Sequence, residues 1–444
     1  MAGENQLSEF FDSFLFTKIF KSFRMAVQPT KLIIAFAAVS VLCLLGWIMD
    51  IGKTVPARQQ VTVAQIRSLP GDGPVVTEHP TQLHCYLAEP ENVKEYAQRH
   101  SKPGQGIGVF ATLWYFGSAR FTEAVLSLFE LRLRNVILNI WYCAQAVVFS
   151  FSYHLIYSII YFAAALAVIS VSGGAICRIA ALQFARQEKP GLLESLKFSS
   201  KRFVSFFTAT LVPLGIIVVF GLCIFILGLI ANIPRAGEII MAIGLPAALF
   251  AAVLITLVLI GAAAGAGLCF PAIGFEVTDG FDAVSRAFSY IYTRPWRMGF
   301  YTVIAMFYGA ICYLFVRFFA FLTLFAAHHF LQLGVWTDSS TKSVNKLVVI
   351  WPEPHFVDMI RAPAGESVIW SEWLAGVLVY LLLLVVFGLV VSFVISFYFS
   401  TNTIIYALMR KHVDDTALED IYTEFEAQQQ LKTEDRGQKT EDRI

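Results

Sequence analysis

Charged residues are scarce in this sequence. Only 15% of its 444 residues are charged, whereas 57% are hydrophobic and 40 are Phe. A water-soluble protein of this length would need more charge to cover its surface. The net charge of +1 also argues against nucleic acid as a partner, because phosphate recognition needs concentrated positive charge. The composition therefore indicates a membrane protein whose main partner is the lipid bilayer.

Motifs for catalysis and metal binding are also missing. The seven cysteines include no CxxC pair, so the sequence predicts neither a disulfide framework nor a zinc site. It contains no GxSxG, HExxH or P-loop motif. The histidines of the polar stretches and their one cysteine match no ligand spacing: His79, His84, Cys85, His328, His329 and His355. The sequence thus predicts no catalytic residue, no metal and no cofactor.

Long apolar runs dominate the chain instead. A run of about 20 apolar residues can cross the hydrocarbon core of a bilayer, which is about 30 Å thick. Six such runs lie at 32–49, 153–176, 205–231, 240–269, 299–325 and 373–398. The predicted fold class is therefore all-α, a polytopic membrane helix bundle of about six transmembrane helices with small extracytoplasmic loops.

Polar and amphipathic segments separate these runs. Before the first repeat, the sequence predicts a cytoplasmic leader at 1–31, an extracytoplasmic insertion at 50–118 and an interfacial amphipathic helix at 119–152. The first membrane repeat covers 153–269, and a second elbow with the fifth span covers 270–327. An extracytoplasmic loop at 328–371, the sixth span from 372 to 398 and a cytoplasmic tail at 399–444 complete the prediction. The tail begins as an acidic helix from 414 to about 430.

Some of these segments carry finer predictions. The stretches QQVTVAQI (59–66) and VIWPEP (349–354) have the composition of short strands and turns. Polar residues recur every three or four positions from 120 to 134, as on a helix that lies in the interface. A tight hairpin near 150–154, which would change the number of crossings, stays open as an alternative.

Positive charge predicts the orientation. Groups of Lys and Arg residues lie near 18–31, 178–202, 286–297 and 410–411. With six spans all of these groups fall on one side, which is the cytoplasmic side by the positive-inside rule. The sequence therefore predicts that both termini are cytoplasmic.

Two stretches resemble one motif written twice. The first, FARQEKPGLLESLKFSSKRFVSFF, starts at Phe184, and the second, FEVTDGFDAVSRAFSYIYTRPWRMGFY, starts at Phe275. Each contains a glycine that opens a helix-like run, Gly191 or Gly280, and these are 89 residues apart. Each lies between two apolar runs and combines aromatic with basic residues, as expected at the headgroup level. The sequence predicts a duplicated unit of span, amphipathic helix and span.

The basic and aromatic residues of these two elbows are the candidate contacts for lipid headgroups or a protein partner. They are Lys197, Lys201, Arg202, Arg286, Trp296 and Arg297. A simpler interpretation is that the elbow helices only seat the spans in the interface.

One basic residue lies inside a predicted span. Arg317 follows Arg297 by 20 residues, which is about 30 Å along a helix, so it is predicted to snorkel to the outer surface. The central turns of the other spans hold no acid, Lys or Arg. Parallel repeats build many carriers, but buried charge usually marks a transport path. Duplication is therefore only weak support for transport.

Three pieces of the chain carry a resemblance to a known family. They are GGAICRIAALQFARQEK with LLESLKFSSKRFVSFF, then GFDAVSRAFSYIYTRPWRMGFY, then SFYFSTNTIIYALMRKHVDDTALEDIY. Together they resemble uncharacterised bacterial integral membrane proteins of the planctomycete kind. More distantly, the layout resembles the membrane domain of some bacterial glycerophosphodiester phosphodiesterases, whose catalytic domain this sequence lacks. The resemblance covers roughly residues 170–425 and implies a multi-pass protein of the bacterial cytoplasmic (inner) membrane.

Three functions are compatible with these patterns. The first is a membrane scaffold or accessory subunit without catalytic activity, which would have protein partners in a membrane complex. The second is a carrier or permease for an apolar or lipid-like substrate, which would need little buried charge. The third is an enzyme that acts at the outer surface.

Overall fold

The computed structural model describes residues 15–58, 61–69, 79–100, 106–339, 344–356, 359 and 369–422. Within these ranges the regular structure is helical, with isolated β-bridges and no named strand. A 3-10 segment, Leu15–Phe20, precedes the first α-helix. The α-helices are α1 (Lys21–Ala26), α2 (Pro29–Met49), α3 (Val63–Arg67), α4 (Gln82–Ala88), α5 (Val93–His100), α6 (Val109–Phe129), α7 (Leu133–Tyr153), α8 (Leu155–Ala185), α9 (Leu192–Lys201), α10 (Phe203–Ile230), α11 (Ala236–Glu276), α12 (Gly280–Thr293), α13 (Pro295–Gly334), α14 (Lys346–Ile350) and α15 (Trp370–Val413).

Seven of these helices are long and apolar enough to cross a membrane. They are α2 with its extension to Gly52, and α7, α8, α10, α11, α13 and α15. The predicted all-α polytopic membrane fold is therefore confirmed, with one more candidate span than the sequence predicted.

The additional candidate, α7, lies where the sequence predicted one interfacial helix over 119–152. The structure has two helices there, because α6 ends at Phe129 and Leu131 adopts a left-handed conformation with φ 56°. A second break follows at His154, which is the place of the alternative hairpin. The polar stripe of α6 does not all face outward, since Arg120 and Ser127 are buried while Glu123 is exposed. Periodicity alone did not reveal these breaks, because the sequence there contains neither Gly nor Pro.

Both segments with strand-like composition are partly helical: residues 63–66 of the first lie in α3 and residues 349–350 of the second in α14, while 351–354 form neither helix nor strand. Val63–Arg67 is helical because Thr62 and Gln65 form a capping box, with Thr62 N donating to Gln65 Oε1 at 2.9 Å. In the second loop Asn345 caps α14 by accepting from Leu347 N at 2.9 Å. These local capping bonds outweigh the β propensity of the valines. Residues 59–60 of the first segment lie outside the described ranges.

The chain divides into two compact units. One unit is Ala37–Val168, and the other combines Met1–Phe36 with Ile169–Ile444. In the first unit α6 packs along α7, and the small helices of the insertion pack on this pair. Its main apolar cluster is formed by Leu83, Phe116, Ala146 and Phe149. In its described residues the predicted insertion therefore forms short helices that pack on α6 and α7.

Asp50 fixes the start of α6. Its carboxylate accepts from Phe110 N at 3.0 Å, from Ala111 N at 2.8 Å and from the hydroxyl of Tyr157 at 2.7 Å. These bonds satisfy amides that a helix N-terminus otherwise leaves unpaired. Gly108 makes room for the carboxylate, because a Cβ there would collide with Asp50.

The second unit has its largest apolar cluster where several helices end. The cluster joins the C-terminal parts of α8, α11 and α15 to α12 and to the starts of α10 and α13. The large exposed apolar side chains of α11 stop at Ile260, and those of α15 stop at Leu389 apart from Tyr398. Beyond these points α11 continues from 261 to 276 and α15 from 390 to 413, which adds about 24 and 36 Å. The helix ends in the cluster are thus mostly protein-covered.

The two elbow helices, α9 and α12, each pack closely on the helix before them. In the first elbow a Cβ on Gly174 of α8 would collide with Ser199 Oγ of α9, and Ser199 Oγ donates to Ser170 O of α8 at 3.1 Å. In the second elbow a Cβ on Gly265 of α11 would lie 2.6 Å from Ile291. Small residues allow this close approach of helices. The glycines therefore act within the bundle.

Candidate contact surface and the polar network behind it

The predicted contact residues of the first elbow lie at the surface. Lys197 and Lys201 are exposed on α9, and Arg202 is exposed just after it. The opposite face of α9 is buried through Ser195 and Ser199. This arrangement presents basic side chains outward from a helix that is fixed to the protein by its other face.

The predicted contact residues of the second elbow separate into two groups. Trp296 is 90% exposed, and Arg297 is exposed but donates to Nδ1 of His412 at 2.7 Å. Arg286 instead turns towards its own protein, where it pairs with Glu276 and, at 3.1 Å, with Asp282. Burial opposes the charge of Arg286, but these two carboxylates outweigh it and raise its pKa. Arg286 is therefore a structural residue more than a free surface cation.

Glu276 is the centre of a buried polar network. Its side chain is 10% exposed, and its Oε1 accepts from Tyr406 at 2.8 Å and from Arg410 Nε at 3.2 Å. Arg286 donates to its other oxygen. Because Glu276 ends α11, its charge meets the negative end of that helix dipole, which is unfavourable. The two guanidinium groups compensate for this position and tie α11 to α12 and α15.

The segment that follows α15 contacts this network. We call residues 414–422 the C-terminal strap. The carbonyl oxygens of its last three residues accept from three different arginines: Asp420 from Arg410 at 2.6 Å, Ile421 from Arg186 at 3.3 Å and Tyr422 from Arg178 at 3.0 Å. The strap is not helical, which corrects the predicted helix from 414. Its main-chain acceptors bind arginines, and Asp415 adopts a left-handed φ of 53°. The predicted tail beyond 422 lies outside the described residues.

Both side-chain and main-chain groups of the strap make further contacts. Ile421 is 1% exposed within the large apolar cluster, and Tyr422 N donates to Phe275 O at 3.1 Å. At the start of the strap the hydroxyl of Tyr290 donates to Asp414. Burial and this hydrogen bond to a carboxylate raise the pKa of Tyr290. The strap is thus an integrated part of the unit.

Arg178 is the most deeply placed of the three arginines. It is 8% exposed, and it also donates to Gly274 O at 2.8 Å while its guanidinium lies 4.7 Å from the ring centre of Phe198. The sequence predicted Arg178 in a cytoplasmic segment after a span that ends at 176. The structure continues α8 to Ala185, so Arg178 is a helical residue with an inward side chain.

Lys31 is a second cation that the structure buries. The orientation argument counts it as a flanking residue, but it is fully buried, and Nζ donates to Gln183 Oε1 at 2.9 Å and to Ser400 Oγ at 3.3 Å. Both acceptors are neutral, although buried charges in proteins are usually paired. Ser400 belongs to a series of buried hydroxyl residues along one face of α15: Ser392, Ser396, Ser400 and Thr403.

Arg317 is buried too, which corrects the prediction that it snorkels. It is 7% exposed, and it donates to the hydroxyl of Tyr313 at 2.9 Å and to Phe356 O at 3.1 Å. Its guanidinium also lies 5.1 Å from the ring centre of Phe356. Protein groups of the second loop thus replace the water that snorkelling would reach. Arg317 fastens this loop to α13.

Two of the histidines named in the sequence analysis, His84 and His328, are engaged in local hydrogen bonds. His84 is buried, with Nδ1 2.7 Å from Thr81 Oγ1 and Nε2 3.0 Å from Ser68 O. Burial lowers its pKa to about 4. His328 Nε2 lies 3.1 Å from Trp351 O. Within the ranges that the structure describes, no three His, Cys, Asp or Glu residues lie close enough to hold a metal ion.

The sequence did not single out Glu276, Tyr406, Asp420 or the inward role of Arg178. One available signal was the position of Glu276, an acid that directly ends a long apolar run. Comparisons of this chain with family models, with curated proteins and with solved structures found no match. The fold and the site therefore define a polytopic α-helical membrane protein.

Proposed function

We propose that this protein is a membrane scaffold or accessory subunit of a membrane complex, without catalytic activity of its own. The observation that carries the proposal is the continuation of α11 and α15 beyond their exposed apolar stretches into the large apolar cluster. A chain that only had to cross the bilayer would need about 20 residues per span. Here the additional helix length supports a packed, protein-covered region.

The surface of this region supports the same proposal. Lys197, Lys201 and Arg202 are exposed, whereas Glu276 and Arg410 satisfy one another inside. Cations at the surface suit contact with acidic protein surfaces or anionic headgroups. The resemblance to bacterial inner-membrane proteins remains a prediction and agrees with such a role.

We infer a cytoplasmic location for this region and for both termini. Ile19 near the N-terminus and Ile421 near the C-terminus belong to the same apolar cluster. Two chain ends on one side require an even number of crossings. The pair α6 and α7 then either crosses as a hairpin, which gives eight crossings, or stays out of the membrane, which gives six. The cation groups favour the cytoplasm by the positive-inside rule.

Purification tests the scaffold proposal. The chain would be isolated in mild detergent from its native membrane, and the co-purifying proteins would be identified and counted by mass spectrometry. We expect a partner in stoichiometric amount, and reversal of the surface cations in Lys197→Glu with Arg202→Glu should reduce its recovery. A chain that is consistently recovered alone, as a monomer, would contradict the proposal.

A carrier for a lipid-like substrate is the second candidate. The burial of Lys31 beside two neutral acceptors, Gln183 and Ser400, favours it, because a buried cation of this kind suits an anionic lipid headgroup that enters from the membrane surface. Proteoliposomes with a fluorescent phospholipid in both leaflets test it. A carrier should accelerate lipid exchange between leaflets, and Lys31→Met should abolish that exchange. An exchange rate equal to that of protein-free vesicles would remove this candidate.

A further inference from the structure

The strap is recognised mainly through its main chain. Three consecutive carbonyl oxygens, those of residues 420–422, each accept from an arginine, and the amide of Tyr422 donates to Phe275 O. Carbonyl oxygens and amides are present in every peptide. The groove formed by the ends of α8, α11 and α15 therefore binds a short non-helical peptide backbone, in large part through groups that every sequence shares.

Two side chains of the strap supply the selectivity. Ile421 is 1% exposed in the apolar cluster, and the Asp420 carboxylate lies 3.3 Å from Arg410 Nη2. Tyr422 is 43% exposed, so its ring contributes little to binding in the groove. A ligand for this groove needs a branched aliphatic residue at the place of Ile421, and an acidic residue before it adds a partly exposed ion pair with Arg410.

We propose that this groove is a docking site for a short, non-helical acidic peptide of a partner protein, and that the strap occupies it in cis. This inference rests on the proposed scaffold role. It specifies the chemistry of the partner segment that the scaffold would bind. The strap then acts as an internal competitor, and a partner segment of the same chemistry takes its place.

Occupation of the groove is favourable for physical reasons. Arg178 and Arg410 are largely buried, and removal of the strap carbonyls would take one acceptor from each guanidinium group in a poorly hydrated place. Because the strap is connected directly to α15, its effective concentration at the groove is about millimolar. A peptide in trans therefore binds measurably only when the strap is weakened.

Fluorescence anisotropy on the full-length chain in detergent tests the inference. The probe is a fluorescein-labelled synthetic peptide, DDTALEDIY, which copies residues 414–422. The weakened protein carries Asp420→Asn with Ile421→Ser. We expect it to bind the probe at least about tenfold more tightly than the native chain, whose strap competes at its millimolar effective concentration. Adding Arg186→Gln to the weakened protein should reduce binding of the probe.

Matched controls separate the groove from non-specific binding. A probe with the same two changes, DDTALENSY, should bind the weakened protein more weakly than DDTALEDIY does, and Tyr422→Phe should behave like the native chain. Thermal melting establishes that the weakened protein is folded. Asp420→Asn alone, at a side chain that is 64% exposed, provides a milder variant, for which we expect a smaller gain in binding.

Equal binding of DDTALEDIY to the native and weakened folded proteins would overturn the inference, as would equal binding of both probes. A concentration-dependent dimer of the native chain that free DDTALEDIY dissociates would make a second copy the occupant, and would overturn the assignment to a separate partner. Recovery of a stoichiometric partner without probe binding would leave the scaffold proposal and remove this one. Probe binding by a chain that always purifies alone would support the groove and count against the scaffold.

Discussion

Nε of Arg410 lies 3.2 Å from Oε1 of Glu276, and this ion pair joins the last turn of α15 to the last residue of α11. The Glu276 side chain is 10% exposed and that of Arg410 is 12% exposed, so water screens the pair little. Arg286 shares the same carboxylate. Two cations therefore depend on one buried acid, and the strap is fixed to one of these cations.

Glu276→Gln is expected to destabilise the protein strongly. The amide keeps the shape of the side chain but removes the buried carboxylate, so Arg286 and Arg410 each keep only an exposed partner, Asp282 or Asp420. Loss of one member of a buried pair costs about 3 kcal/mol or more. Thermal unfolding in detergent measures the change. Glu194→Gln, at an exposed position of α9, is the matched control and should melt with the native chain. Identical melting of Glu276→Gln and Glu194→Gln would show that the network contributes no stability.

Gly280→Ala and Gly191→Ala are expected to differ, although the two glycines occupy corresponding places in the predicted repeat. A Cβ at Gly280 would lie 2.6 Å from Ser205 O and 2.7 Å from Ala209 N, whereas nothing lies within 4 Å of a Cβ at Gly191. Overpacking against backbone atoms costs about 1–3 kcal/mol. We expect Gly280→Ala to lower the melting temperature and Gly191→Ala to leave it unchanged. Equal effects of both substitutions would contradict the close contact of α12 with α10.

The stability of the first unit should fall as the pH falls from about 6.5 to 4. His84 has a pKa near 4 in the folded protein, because burial disfavours its charged form, whereas an exposed histidine titrates near 6.5. Above pH ~6.5 both states are neutral. Between these values only the unfolded state gains the proton, so acid favours unfolding.

His84→Gln should flatten this pH dependence relative to the native chain. Melting curves at several pH values between 7 and 4.5 measure it, with His355→Gln at an exposed position as the control. The comparison separates the effect of His84 from that of the carboxylates, which are the same in all three proteins. A pH dependence that is the same in all three proteins would exclude His84 as its source.

Both chain ends are expected to react with a membrane-impermeant maleimide from the cytoplasmic side only. The exposed positions Lys21 and Lys411 would each be changed to Cys in a chain whose native cysteines are replaced by Ala. Asp338, exposed after α13, provides the opposite control and should react from outside. Labelling of the Lys21→Cys and Lys411→Cys chains from opposite sides would exclude an even number of crossings.

The amount of structure that the sequence could predict differs between spans and loops. The apolar runs of α10, α11 and α13 predicted helices, because crossing hydrocarbon requires continuous internal hydrogen bonding that local composition reflects. The break at Leu131 was not predicted, because a left-handed turn of a non-glycine residue has no composition signal. The helical form of Val63–Arg67 depended on a two-residue capping box that strand-like composition concealed.

The candidate site divides in the same way. Exposed Lys197, Lys201, Arg202 and Trp296 could be selected from sequence, since basic and aromatic residues beside an apolar run indicate an interface. The inward positions of Arg286 and Arg317 could not be predicted from the sequence, since packing between helices and loops determines their partners Glu276 and Phe356. A flanking cation and a buried one look alike in sequence, as Lys31 illustrates.

The sequence by itself determined that this is a helical membrane protein with basic, aromatic elbows, because hydrophobic length and charge are properties of short segments. Only the tertiary structure decided that Arg178, Arg186 and Arg410 converge on residues 420–422, and that Glu276 balances Arg286 and Arg410. These contacts join positions as much as 244 residues apart. Their energy comes from burial and from pairing of charges, which exist only once the helices are packed.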